Sequence, residues 1–149
     1  MKREVILFCY DGSAEAKRSM ESAAELLSTR DAVVVDVGSF LTGAESLAAL
    51  SPGVDVPTLE QLNRDGALER AQDGADYARR FGFDASARQM LADPAWEGIL
   101  EVADDVDASV IVVGSRGFKG AKELIEHSFS RALTEHASRP VLVVPPAEA

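Results

Sequence analysis

The chain is short of the residues that most often carry chemistry. Among 149 residues it has one cysteine, one tryptophan, two tyrosines, three methionines and two histidines. Cys9 lies inside an apolar run and is expected to be a buried core thiol in a reducing compartment, not a nucleophile. Trp96 has no accompanying aromatic platform for bases and is expected to be a packing anchor. No Gly-x-Ser-x-Gly elbow occurs, and Ser13, His127, His136 and the aspartates assemble no hydrolase. No catalytic residue is assigned. The longest apolar runs are strand-sized, far from a membrane span. The start, MKREVILFCYDGS, has no small-residue cleavage site, and its apolar run ends at Asp11-Gly12, so it does not read as a leader. Positive charge is scarce: 15 Lys and Arg against 25 Asp and Glu, a formal net charge of -10. That balance argues against non-specific nucleic-acid binding, which depends on neutralising phosphates. Asp104, Asp105 and Asp107 lack the glycine turn and spaced ligands of a metal loop, and are expected to form a solvated helix end.

What is present is a core. Hydrophobic residues make up 46% of the chain, enough for one α/β domain over residues 1–149. Glu4 to Tyr10 (EVILFCY) and Ala32 to Val37 (AVVVDV) are nearly continuous apolar runs, the mark of strands covered on both faces. Between them Ser13 is a natural N-cap, and Ala16, Met20, Ala23 and Leu27 recur at helical spacing. Residues 38–57 are punctuated by Gly38, Gly43, Pro52, Gly53 and Pro57. They are expected to form a long loop with one helical turn at Ala44 to Leu50. A helix is expected from a Thr58 cap to Phe81, with Leu59, Leu62, Ala71, Ala75 and Ala78 on its apolar side and Gly66 and Gly74 as weak points. Phe83 to Met90 alternates like a half-exposed edge strand. Asp93-Pro94 then opens a helix by cap and first-turn proline, with Trp96, Ile99, Leu100, Ala103 and Val106 facing the core.

The last third is the most informative. Val110 to Val113 is a fourth strand, breaking at Gly114 into a loop with Gly117 and Gly120. A helix and a fifth apolar run, Val141 to Val144, follow. Such a loop at a helix N-terminus suits a phosphate, because glycine lets the backbone approach and terminal N–H groups face the anion. It also suits a turn that binds nothing. Arg116, Lys119, Lys122 and Arg131 concentrate positive charge around it, either for phosphate or as solvated surface. Asp11-Gly12-Ser13 is a capped strand-to-helix turn, or part of the same site. Strands alternating with helices imply a parallel sheet with helices on both faces and ligands beyond the carboxyl ends of the strands. If the first and fourth strands are neighbours, Asp11 and Gly114 share one crevice. His136, ending the last helix, is expected to face terminal carbonyls.

The YDGS turn at 10–13, VIVVGSRG at 110–117 and HASRPVLVVP at 136–145 together resemble the universal stress protein family, over nearly the whole chain. The resemblance implies a five-stranded parallel sheet of order 3-2-1-4-5, which places the first and fourth strands side by side. It also implies a last strand that is an edge and that many members use to dimerise. The family's nucleotide-binding branch carries Gly, two residues, Gly, nine residues, then Gly with Ser or Thr. Gly114, Gly117 and Ser128 match; His127 stands where the third glycine belongs. By this resemblance Asp11 faces the ribose and the Val37 backbone meets the adenine. Gly114 and Gly117 line ribose and phosphates, and Ser128 and Ser130 bond phosphate oxygens from the helix N-terminus; Arg116, by its charge, is a further candidate for the phosphates.

His127 leaves three outcomes open. Its backbone N–H could still serve phosphate, although a side chain fills space that glycine leaves free. Its imidazolium could pair with phosphate, giving binding that falls as pH rises through the imidazole range. Or the ring blocks the crevice. The expectation is a cytoplasmic stress-response or signalling protein that binds ATP, ADP or AMP, with or without Mg²⁺, between Asp11 and Gly114. It is not expected to be an enzyme. The expected partner is a second copy, paired through residues 140–145, where an apolar edge needs covering. The alternative is a homodimeric interaction protein that binds no nucleotide. A small nucleotide-activating enzyme on the same sheet is a third, weakened by the missing nucleophile and base.

Overall fold

A computed structural model describes residues 3–38, 51–53, 55–92, 94–115 and 123–147, with 37–38 and 123–128 described by backbone alone. The expected helical turn at 44–50 and the Asp93 cap lie outside these residues. The described elements are β1 (Ile6–Cys9), α1 (Ala14–Leu26), β2 (Asp31–Gly38), α2 (Val56–Arg79), β3 (Asp84–Leu91), α3 (Ala95–Asp105), β4 (Val110–Gly114), α4 (Glu123–His136) and β5 (Val141–Val144). The five strands form one sheet of order β3-β2-β1-β4-β5, with every neighbouring pair parallel. The order implied by the resemblance is the order found, with β3 and β5 at the edges.

β1 explains why its sequence is continuously apolar. Ile6 and Phe8 face one layer, with Met20 of α1 and Ala75 and Ala78 of α2. Leu7 and Cys9 face the other, with Ile99 of α3 and Leu133 of α4. A strand covered on both faces has no solvent side on which to alternate. Phe8 also meets Phe83 edge to face, with ring centroids 5.1 Å apart, an arrangement that adds to simple burial.

Several expected boundaries and roles move. β1 is shorter than the expected Glu4 to Tyr10, although the Tyr10 N–H still donates to the Val35 carbonyl at 3.0 Å. α2 begins at Val56 with Asp55 at the N-cap and a proline in the first turn, not at a Thr58 cap; the Thr58 hydroxyl donates back to Asp55. Pro94 is itself the N-cap of α3, with extended dihedrals, and is not inside the first turn. Leu62 was expected on the apolar side of α2 but is 60% exposed. A 24-residue helix is about 36 Å long, whereas the eight residues of β3 span about 26 Å. Burial in α2 accordingly starts at Ala67.

Gly74 is a packing requirement, not a weak point. A Cβ there would lie 2.7 Å from Tyr10 Cδ2 and 2.8 Å from Val34 Cγ1, both on buried residues. α2 can approach the carboxyl ends of β1 and β2 only because this position has no side chain.

Candidate functional site

The carboxyl ends of β1 and β4 are neighbours, since Phe8 pairs with Val112, and beyond them lies a shallow hollow. Cys9, Tyr10 and Asp11 line it from the β1 end, Val113 and Gly114 from β4, Ala16 from α1 and Phe129 from α4. Its volume is about 230 Å³, counted out to open solvent. Two residues expected to meet, Asp11 and Gly114, do meet here. Asp11 is the one charged residue among those that line it.

The two oxygens of Asp11 differ. Oδ1 accepts the Ser13 N–H at 2.9 Å, and Ser13 Oγ accepts the Ala16 N–H at 3.1 Å. The first bond closes an Asx turn around Gly12, which has φ +82°, and the second caps α1. The turn-and-cap reading of Asp11-Gly12-Ser13 is therefore right for Oδ1. Oδ2 has no hydrogen-bond partner among the described residues, although Asp11 is only 6% exposed. A buried carboxylate oxygen left without a donor costs free energy, and such an atom in a native protein calls for a reason.

Gly114 also packs closely against α1. A Cβ there would lie 3.3 Å from both the Glu15 carbonyl oxygen and Glu15 Cβ. That is a close contact with the first turn of α1, which a side chain at 114 would press against. Arg116 and Gly117 lie outside the described residues, as do Lys119 and Lys122 and the side chains of Val37, His127 and Ser128. In the backbone, Val37 pairs with Met90 in the β2–β3 ladder. α4 is described from Glu123 to His136 and contains positions 127, 128 and 130. Ser130 is buried in α4 but is not on the wall of the hollow; Phe129 is. Arg131 pairs on the surface with Glu135 at 2.9 Å, the ordinary reading of that charge.

Next to the hollow is a polar group that the residue patterns did not single out. Asp36 of β2 is 2% exposed and accepts two bonds from Arg70 of α2: Nε to Oδ2 at 2.7 Å and Nη2 to Oδ1 at 3.1 Å. Burial pushes the Asp36 carboxyl above the ordinary carboxylate range. The Arg70 fork opposes this without cancelling it, and the charge of Asp11 adds to the rise. Tyr10, buried against Gly74, has its phenol pushed up first by burial and then by Asp73, Asp11 and Asp36. The available signal was the single charge in the run AVVVDV. Arg70 had none, since it sits in a charge-rich stretch like any solvated helix face.

The other candidates are structural. Burial, with Asp11 adding, pushes the Cys9 thiol far above its ordinary value, which removes it as a nucleophile. Asp104 pairs with Arg139 at 3.0 Å and Asp105 with Arg88 at 2.6 Å. No group of three or more metal-ligating side chains occurs among the described residues. His136 stacks on Trp96, with centroids 4.4 Å apart and planes at 11°, so that ring meets an indole and not the helix-end carbonyls. Among the described residues no helix is long and apolar enough to cross a membrane.

A parallel sheet wound in both directions from β1, with a crevice where the strand order reverses, defines a doubly wound α/β protein. The universal stress protein family model matches residues 2–145, and the chain belongs to that family. It is 27% identical over 145 residues to the universal stress protein YxiE of Bacillus subtilis, covering 93% of this chain and 97% of that one. Among solved structures, a universal stress protein family member from Burkholderia pseudomallei has a TM-score of 0.67 at 26% identity, with 97% of each chain covered. The universal stress protein of Archaeoglobus fulgidus in complex with dAMP has a TM-score of 0.58 at 22% identity, covering 96% of this chain and 98% of that one.

Proposed function

We propose that this protein binds an adenine nucleotide, ATP, ADP or AMP, in the crevice between the ends of β1 and β4, and acts in the cytoplasm as a stress-response sensor without turnover. The observation that carries this reading is Asp11 Oδ2, a buried acceptor at the wall of the hollow with no donor among the described residues. An unpaired carboxylate oxygen requires an O–H or N–H donor, and it repels phosphate. The chemistry fits a ribose hydroxyl at Asp11 and puts the phosphates toward the end of β4, where the loop carries Arg116 and Gly117. A relative of the same fold in complex with dAMP supports the class of ligand. Mg²⁺, if it accompanies the phosphates, has no acidic ligand set among the described residues and would be held by the nucleotide.

Denaturing the purified protein and chromatographing the supernatant tests this reading directly, together with calorimetric titration of the nucleotide-free protein with ATP, ADP and AMP. Released or titrated adenine nucleotide is the expected result. Absence of both would leave a protein that works through protein contacts alone. That second reading has its own support: β5 is a sheet edge whose Val141, Leu142 and Val143 are only half-buried. Pairing of residues 140–145 with a second copy would satisfy that edge. Light scattering at micromolar concentration should give a dimer, and Val143→Lys should shift it to monomer. A wild-type monomer, or an intact Val143→Lys dimer, removes this interface.

A further inference from the structure

Arg70 has more donors than its structural partner uses. Asp36 takes Nε and one Nη2 hydrogen in a fork, but a guanidinium carries five N–H groups. The rest make no hydrogen bond among the described residues, and the Arg70 side chain is 44% exposed. The fork thus fixes the plane of a cation whose outer edge is open.

The strand order says which part of a ligand that edge would meet. Tyr10 follows β1 and its N–H donates to the carbonyl of Val35, the residue before Asp36, so the Asp36–Arg70 pair lies on the β2 side of Tyr10, just beyond the residues that line the hollow. Asp11 lies between them and Gly114 on the β4 side. The Arg70 guanidinium is held charged first by Asp36, with Asp11 within reach to add to it. A ligand whose sugar bonds Asp11 and whose phosphates lie toward β4 must extend its base toward β2. There, planar N–H donors can bond ring nitrogens, and the guanidinium face can stack on a base.

We propose that Arg70, anchored by Asp36, is a base-contacting residue of the crevice and helps select an aromatic, acceptor-bearing base over a bare sugar phosphate. This rests on the nucleotide reading above. It also accounts for keeping a buried carboxylate, paired with a half-exposed guanidinium, at the strand ends, where apolar side chains would otherwise do as well for stability.

The test compares AMP with ribose 5-phosphate on wild type and Arg70→Lys. Lysine keeps a cation for Asp36 but presents no planar fork, so the fold should hold and its melting temperature should stay near that of wild type. AMP binding should weaken about tenfold, the scale of one charge-assisted hydrogen bond, while ribose 5-phosphate binding stays the same. If Arg70→Lys fails to fold, the double variant Asp36→Asn/Arg70→Gln removes the pair without stranding a buried charge, and should show the same base-dependent loss. Equal weakening of both ligands, or of neither, overturns the proposal. Failure of wild type to bind AMP at all would instead overturn the nucleotide reading on which it rests.

Discussion

Asparagine at position 11 separates the turn that one carboxylate oxygen closes from the ligand contact proposed for the other. Its side-chain carbonyl can still accept the Ser13 N–H, so the Asx turn and the Ser13 cap on α1 should survive. The other oxygen becomes an NH₂ group, a donor where a ribose hydroxyl needs an acceptor. A hydrogen bond to a charged group contributes about 1.5–3 kcal/mol, so nucleotide affinity should fall roughly 10- to 150-fold. Stability should move the other way. Oδ2 is buried without a donor among the described residues, and neutralising it removes part of a desolvation cost of about 1–3 kcal/mol. The variant should therefore melt at or above the wild-type temperature while binding worse, the pattern of a residue kept for function at some expense in stability. Calorimetric titration with AMP and ATP, paired with urea melts of the nucleotide-free protein, reads both quantities. Undiminished affinity would refute the role of Oδ2. A large loss of stability would show that the carboxylate is a structural element of the turn and nothing more.

Two further predictions concern the structure around the site. Gly74→Ala should destabilise by about 1–3 kcal/mol, because the new methyl collides with the Tyr10 ring and Val34; this outweighs a helix-propensity gain of about 1 kcal/mol, and urea midpoints would show it. Asp36 has its carboxyl raised above the ordinary value by burial. Its contribution to stability is therefore fully present below the ordinary carboxylate range and is lost as pH rises through the raised value. Wild type should lose stability relative to Asp36→Asn over that window, and parallel pH profiles of the two in urea melts would contradict this.

Some of the architecture was legible because its signals are local. β1 and β2 announce themselves as buried on both faces by runs without a polar alternation. Ser13 announces a cap by its type and its place before a helical stripe. The short motifs at 10–13, 110–117 and 136–145 pointed to a family and, through it, to the strand order that the sheet has. Misplaced features arose where a local signal has two solutions. Thr58 and Asp55 both look like caps, and the proline between them in the first turn favours the earlier one. Leu62 fits an apolar stripe, but that stripe continues past the end of the sheet it would cover.

Arg139 and Gly114 show a motif whose reason is not local. The Arg139 guanidinium donates to the Ala103 and Ala108 carbonyls and to Asp104, closing the end of α3 from the start of β5. Gly114 makes room for Glu15, from the turn after a strand that is its neighbour only in space. Both residues belong to recognisable motifs, yet neither motif states which contact demands it.

Read alone, the amino-acid order determined the alternation of strands and helices, the two-sided burial of the central strands, and a turn at Asp11 able to cap a helix. These follow from periodicity and from hydrogen bonds spanning a few residues. Only the folded arrangement decided that one oxygen of Asp11 is left without a donor among the described residues, that Gly74 must yield to Tyr10, and that Arg70 reaches back to Asp36. Such contacts join residues dozens of positions apart, and their energies depend on distance and on the exclusion of water. Neither is written in any short window of the chain.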